Sequence, residues 1–133
     1  MAVTLPSKEE IQEINRDIIR NSRDPDDDPN DAGKFFKESP LKYALDPTYG
    51  YGNVSEAAYG LAKAIANDHV FRNGNKRTAT EVVKRLFALN GFNFNGDNDD
   101  LSHLVNSIVI EDGDDEEEVR DNFINQVSNF FNQ

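Results

Sequence analysis

Cysteine is absent from the 133 residues, which excludes disulfides and thiolate metal sites. Only two histidines occur, His69 and His103, so a zinc site would have to lean on carboxylates, an uncommon choice for a structural ion. Long apolar runs are missing as well. The longest, Leu86 to Leu89, falls far short of the roughly 20 residues that cross a membrane. The first twenty residues lack the apolar stretch of a secretory signal. A soluble cytoplasmic protein with no membrane contact is the expectation. Basic residues are scarce: 14 Lys and Arg stand against 25 Asp and Glu, a net charge of −11. That balance argues against direct nucleic-acid binding, which wants a basic face. It suits a basic protein partner, or solubility alone.

The length allows one domain, 1–133, burying about two-thirds of its unfolded surface. Strict strand alternation is nowhere convincing, so an all-α class is expected, built from amphipathic helices. The first runs from about Ser7 to Asn21, with Ser7 and Glu10 as a capping box and Ile11, Ile14 and Ile18 as its stripe. Asp24 to Gly33 is acidic, carries Pro25 and Pro29, and reads as a loop. Lys34 to Ser39 predicts a short helix ending before Pro40. Leu41 to Asn53 combines Pro47, Gly50 and Gly52 with Tyr49 and Tyr51; it reads either as a docking flap or as an ordinary connection with surface tyrosines. A helix over Ser55 to Asp68 places Ala58, Leu61, Ala62 and Ile65 on one face. The next, from about Lys76 to Asn90, has the stripe Ala79, Val82, Val83, Leu86 and Phe87 and stops at Asn90-Gly91. Leu101, Leu104, Val105 and Ile108 mark another, and Val119, Phe123, Ile124, Val127, Phe130 and Phe131 the last.

One segment departs from this regular pattern. From His69 to Thr80 there is no acidic residue, yet His69, Arg72, Lys76 and Arg77 all fall there. Lys76 and Arg77 occupy the start of a helix, where partial positive charge and unpaired N–H groups disfavour cations by some tenths of a kcal/mol. A bound anion would remove the conflict, because a phosphate accepts from the free N–H groups and pairs with both cations. Gly74 would let backbone approach the ligand, and Asn73 and Asn75 supply amides that tolerate turn geometry. An imidazole titrates near 6.5, so His69 can take a proton near pH 7, as an attacking hydroxyl requires. Phe71, apolar within a polar loop, is expected to turn into the core as an anchor. Taken singly, a histidine at a helix end and an Asn-Gly turn are commonplace; their combination in this order is not.

Other clusters are read as structure. Asp24 to Asp28 and Asp97 to Asp100 lack the sixth-position Gly and twelfth-position Glu of a calcium loop. Asp114 to Glu118 forms the negative first turn that a helix dipole favours. His103 is expected at the surface.

The run His69-x-Phe71-x-Asn73-Gly74-Asn75-Lys76-Arg77 resembles the signature of the Fic/Doc family, on its Doc (death-on-curing) branch. Tyr59-Gly60-Leu61-Ala62 and Leu86-Phe87-Ala88-Leu89-Asn90-Gly91-Phe92 extend the similarity to about Ser55–Phe94. The resemblance implies an all-α fold with a central helix–loop–helix. It implies that His69 deprotonates a target hydroxyl and that Phe71 anchors the loop. Position 73 would help hold Mg²⁺, and Gly74, Asn75, Lys76 and Arg77 would bind the phosphates of ATP. A flap before the motif would dock the target by strand addition, with Tyr49, Gly50, Tyr51 and Gly52 in the candidate segment.

Members of the Fic branch carry Gly where this chain has Lys76 and a second Arg where it has Thr80; they transfer AMP. The Doc branch has the lysine and resembles a protein kinase toxin whose target is elongation factor Tu, restrained by an antitoxin. A lysine in the cradle adds bulk and charge, so the nucleotide can seat in the opposite sense. An AMP or other nucleotidyl transferase on the same fold, and an inactive binding module, remain the alternatives. Asn73 replaces the acid usual at its position, and an amide is the weaker Mg²⁺ ligand. The inhibitory pattern Ser/Thr-x-x-x-Glu-Gly/Asn finds its nearest match at Ser107 to Asp112 and fails there, so control by a partner is expected.

Overall fold

The computed structural model describes residues 2–133. Helix makes up 57% of the chain, in six α-helices with short 3₁₀ and π turns, and the sheet among the described residues has two short strands. Helix α1 spans Lys8–Arg20 and α2 Ser39–Ala44. Helix α3, Val54–Ala62, runs on into a π turn at Lys63–Asn67. Helix α4 is Asn75–Leu89, α5 Asn98–Asn106 and α6 Glu116–Val127. Strands β1, Asn93–Phe94, and β2, Phe131–Asn132, pair antiparallel. Among the described residues no helix is long and apolar enough to cross a membrane.

Helix α4 is the axis. It packs against α1, α3, α5 and the π turn, and Ala79, Val82, Val83, Leu86 and Phe87 face the core, at most 2% exposed. Its end is the expected left-handed stop: Gly91 has φ +87°, and the Phe92 amide donates to the Phe87 carbonyl at 3.0 Å. On α3, Ala58, Leu61, Ala62 and Ile65 are all fully buried, and small side chains let α3 lie close to α4. Helices α5 and α6 begin on aspartate caps. Asp97 accepts from Asp99 and Asp100, and Asp115 from Glu117 and Glu118. The acidic clusters there are helix caps and first turns, as expected, and His103 is exposed.

Several boundaries differ from expectation for identifiable reasons. Pro40 starts a helix instead of ending one: Lys34 to Glu38 is not helical, and α2 begins at Ser39 with proline in its first turn, where the missing N–H is harmless. On α1 Ser7 accepts from the Glu10 amide, but the Glu10 carboxylate reaches across to Arg85, so half of the capping box forms. The buried stripe is Ile11, Asn15 and Ile19, not Ile11, Ile14 and Ile18. Helix α6 stops at Val127, so Phe130 and Phe131 lie beyond it. Phe131 joins the two-stranded sheet, stacked on Phe87 with ring centroids 4.0 Å apart. The chain ahead of α1 is also tied to α4: the Thr4 amide donates to Asn90 Oδ1, and Asn90 Nδ2 to the Thr4 carbonyl, both at 2.8 Å.

Candidate active site

The loop His69–Gly74 connects the π turn to α4, and nearly every residue in it is fixed from outside. The π turn closes when the Asp68 amide donates to the Lys63 carbonyl at 3.1 Å; such turns recur at functional sites because they redirect the chain within a helix. Val70 and Phe71 then dive inward, 0% and 1% exposed, and the Phe71 ring stacks on Phe35 at 5.2 Å. Phe71 is the expected anchor. Residues on either side turn outward: His69 and Arg72 are exposed. His69 has φ +54° and is the one non-glycine in the left-handed region among the described residues. That conformation strains a side-chain-bearing residue, and surrounding structure must hold it.

The holding groups are visible. Asn75 Oδ1 accepts from the Phe71 amide and Asn75 Nδ2 donates to the Phe71 carbonyl, both at 2.8 Å. The side chain expected to grip phosphate thus closes the loop, and only the main-chain N–H of Asn75 is left for a ligand. Asn15 enters from α1, 0% exposed. Its Nδ2 donates to the Asn73 carbonyl at 2.9 Å and to Thr78 Oγ1 at 3.0 Å, while its Oδ1 accepts from the Gly33 amide at 2.9 Å. One buried amide therefore joins the loop, α4 and the segment before α2. Gly74 caps α4 with φ +74°, and a Cβ there would lie 2.9 Å from Ile19 Cδ1. The left-handed φ is what calls for glycine here, and the packing of α1 against the loop leaves little room for a side chain.

The start of α4 has no acidic residue in its first turn and no side-chain cap. Among the described residues the amides of Asn75, Lys76 and Arg77 find no acceptor. Lys76 is exposed and has no carboxylate within ion-pair distance there. Thr80 faces inward, 3% exposed, its hydroxyl donating to the Lys76 carbonyl, so position 80 does not serve the loop surface.

The expected conflict of charges is resolved in part by the chain itself. The acidic segment Asp24 to Gly33 folds over the loop. Arg77 NH2 lies 2.8 Å from Asp27 Oδ2, and Arg72 NH1 3.9 Å from Asp31 Oδ1. The Ser22 hydroxyl first, and the Arg77 guanidinium second, hold the Asp27 carboxyl below its ordinary range. Asp31 ends a short 3₁₀ turn, Pro29–Asp31. Its Oδ2 accepts from Asn73 Nδ2 at 2.9 Å, which turns the Asn73 amide nitrogen, not its oxygen, toward the carboxylate.

The predicted flap is divided by the structure. Leu41–Ala44 lies in α2. Tyr51 is half-buried and donates to the Ala44 carbonyl at 2.8 Å, and burial, then Tyr49, pushes its phenol up to about 12. Gly52 donates to Glu56 beneath it. Pro47 to Gly50, with Tyr49 66% exposed, and Gly52 and Asn53 are presented outward. The backbone that lies along the loop is instead Lys34–Lys37. Phe35 bridges Phe71, the amides of Phe36 and Lys37 donate to the Val70 carbonyl, and the Arg72 amide donates to the Lys34 carbonyl. A groove of about 850 Å³ opens beside this corner, lined by Tyr43, Tyr49, Tyr51, Tyr59 and Asp68 among others. It reaches the neighbour of His69 but not His69, Lys76 or Arg77.

No family model, curated protein or solved structure matches this chain. The site is therefore read from its own residues. Of those expected, the fold gathers His69, Asn73, Gly74, Asn75, Lys76 and Arg77 onto one loop and helix start, with Phe71 beneath; Tyr49, Gly50 and Tyr51 line the groove that reaches Asp68. Sequence reasoning missed Asn15, Asp27 and Asp31. A polar residue at i+4 from Ile11 was a signal for the first. For the other two it was the acidic run itself, in a chain with a single cationic island.

Proposed function

We propose that this chain is a Doc-type protein kinase toxin. It would transfer the γ-phosphate of ATP to a hydroxyl of a cytoplasmic protein, with elongation factor Tu the candidate target and an antitoxin as restraint. The observation that carries the reading is an exposed histidine, held in left-handed backbone, at the head of a rigid loop that ends on an uncapped helix start bearing an unpaired lysine. Rigid placement of donors before the reaction is what phosphoryl transfer needs, because catalysis there is mostly positioning and charge stabilisation.

In this reading the N–H groups of Asn75, Lys76 and Arg77 and the Lys76 ammonium hold the β and γ phosphates. Arg77 joins them by exchanging Asp27 for a phosphate oxygen. The His69 imidazole accepts the proton of the target hydroxyl as that oxygen bonds to the γ phosphorus. The bond from the γ phosphorus to the β,γ-bridging oxygen breaks, and ADP leaves. Mg²⁺ bound with the nucleotide would neutralise phosphate charge. Among the described residues no three His, Asp or Glu side chains gather, and the oxygens near Asn73 fit an ion held chiefly by phosphates.

The test is label transfer from ATP carrying the isotope at the α or γ position, with Mg²⁺ and a bacterial lysate. Protein labelled from γ only, and lost in His69→Ala, is the expected result. Labelling from α would establish nucleotidyl transfer instead. No labelling from either position would overturn the enzyme reading in favour of a binding module.

A further inference from the structure

The residue at position 73 is an amide, and an amide alone is a poor partner for a small divalent cation. We infer that Asp31, brought in by the acidic segment, is the carboxylate that holds the cation beside Asn73; this rests on the kinase reading above. Four observations point there. First, Asp31 and Asn73 are in direct contact, Nδ2 to Oδ2 at 2.9 Å, although 42 residues separate them in sequence. Second, both are positioned by one buried side chain: Asn15 holds the Asn73 carbonyl and also the Gly33 amide, two residues after Asp31. The pair is thus preorganised from a common support. Third, the Asp31 side chain is only 24% exposed, so its charge is incompletely screened by water. Fourth, its ion pair is weak. Arg72 stands 3.9 Å away and is itself 54% exposed, which leaves the carboxylate largely uncompensated.

An uncompensated carboxylate beside a helix start built for polyphosphate would repel that ligand. A divalent cation between the two reverses the sign of the interaction. Mg²⁺ favours this composition: one or two protein oxygens, with phosphates and water completing the octahedron. The Asn73 amide needs only a half-turn about its last torsion to exchange Nδ2 for Oδ1 toward Asp31, after which two hard oxygens face one ion. The donor set is therefore split between two elements, the 3₁₀ turn and the loop.

The experiment is calorimetric titration of ATP into the full chain, once in EDTA and once in Mg²⁺, with Mn²⁺ electron paramagnetic resonance as a direct count of bound ion. The parent should bind ATP more tightly with Mg²⁺. Asp31→Asn should lose about tenfold or more of that metal-dependent gain, while its affinity in EDTA stays level or rises. Asn73→Asp in the Asp31→Asn background should restore bound Mn²⁺, which a purely structural role for Asp31 would not allow. Circular dichroism melts confirm that each variant folds. If the parent binds MgATP and Asp31→Asn keeps the full gain, the assignment of Asp31 is wrong and the kinase reading survives. If the parent binds ATP under neither condition, both fall.

Discussion

Asn15→Leu isolates the support under the loop. The two side chains are similar in volume, so the substitution removes hydrogen bonds without opening a large cavity. Three bonds are lost, to the Gly33 amide, the Asn73 carbonyl and Thr78 Oγ1. The threonine hydroxyl can rotate to another partner, but the two backbone groups are left unpaired in a site where Asn15 is 0% exposed. Each orphaned group costs about 1–3 kcal/mol. Burying leucine offsets roughly 1.5–3 kcal/mol of this total, and a net loss of about 2 kcal/mol follows. Against a total stability on the order of 5–15 kcal/mol, that is a melting temperature lower by roughly 6–8 °C for a chain of this size. Urea denaturation followed by far-ultraviolet circular dichroism measures it. The midpoint should fall with the slope unchanged, because the same surface is exposed on unfolding. ATP affinity should fall with it, since the loop and the acidic segment lose their common tie. A midpoint equal to that of the parent would refute the claim that this amide holds the loop. Asn15→Asp provides the internal control: it keeps the acceptor for Gly33 but sets a carboxylate against the Asn73 carbonyl, and should be no better than leucine at neutral pH.

Gly74→Ala should destabilise the fold by about 2 kcal/mol, combining the cost of a side chain in left-handed backbone with the clash at Ile19; a thermal melt within 2 °C of the parent would contradict both. Asp27 carries the pH dependence. Its carboxyl is held below its ordinary range, so its contribution is present above the unfolded value near 3.8 and disappears as pH falls through the lower folded value. Asp27→Asn should flatten the acid limb of a stability profile between about pH 5 and 2. The same variant releases Arg77 and should tighten ATP binding several-fold at neutral pH; weaker binding would show that Asp27 does not compete for that arginine.

How far the sequence could be read differs by element. Helices α3 and α4 were legible because their apolar periodicity serves one purpose, facing the core. Helix α1 was misread by a fraction of a turn, since the rule that apolar residues face inward cannot place Asn15, whose burial depends on partners 18 to 63 positions away. The motif loop announced itself through charges in unusual places. What it did not announce was that two carboxylates from a distant acidic run come to rest upon it, or that Asn75 serves the loop before any ligand. Such pairings are tertiary, and local composition says only that an acidic loop exists. Pro40 misled for a simpler reason: a proline ends one helix and begins another with the same fixed φ.

The fastening of Thr4 to Asn90, together with the pairing of β1 with β2, has a practical side. Both extremities of the described chain are secured near the tail of α4, and α4 is about 22 Å long at 1.5 Å per residue. A reporter or affinity handle joined at either extremity would start from the opposite pole to His69. Labelling schemes can therefore use both ends without crowding the histidine.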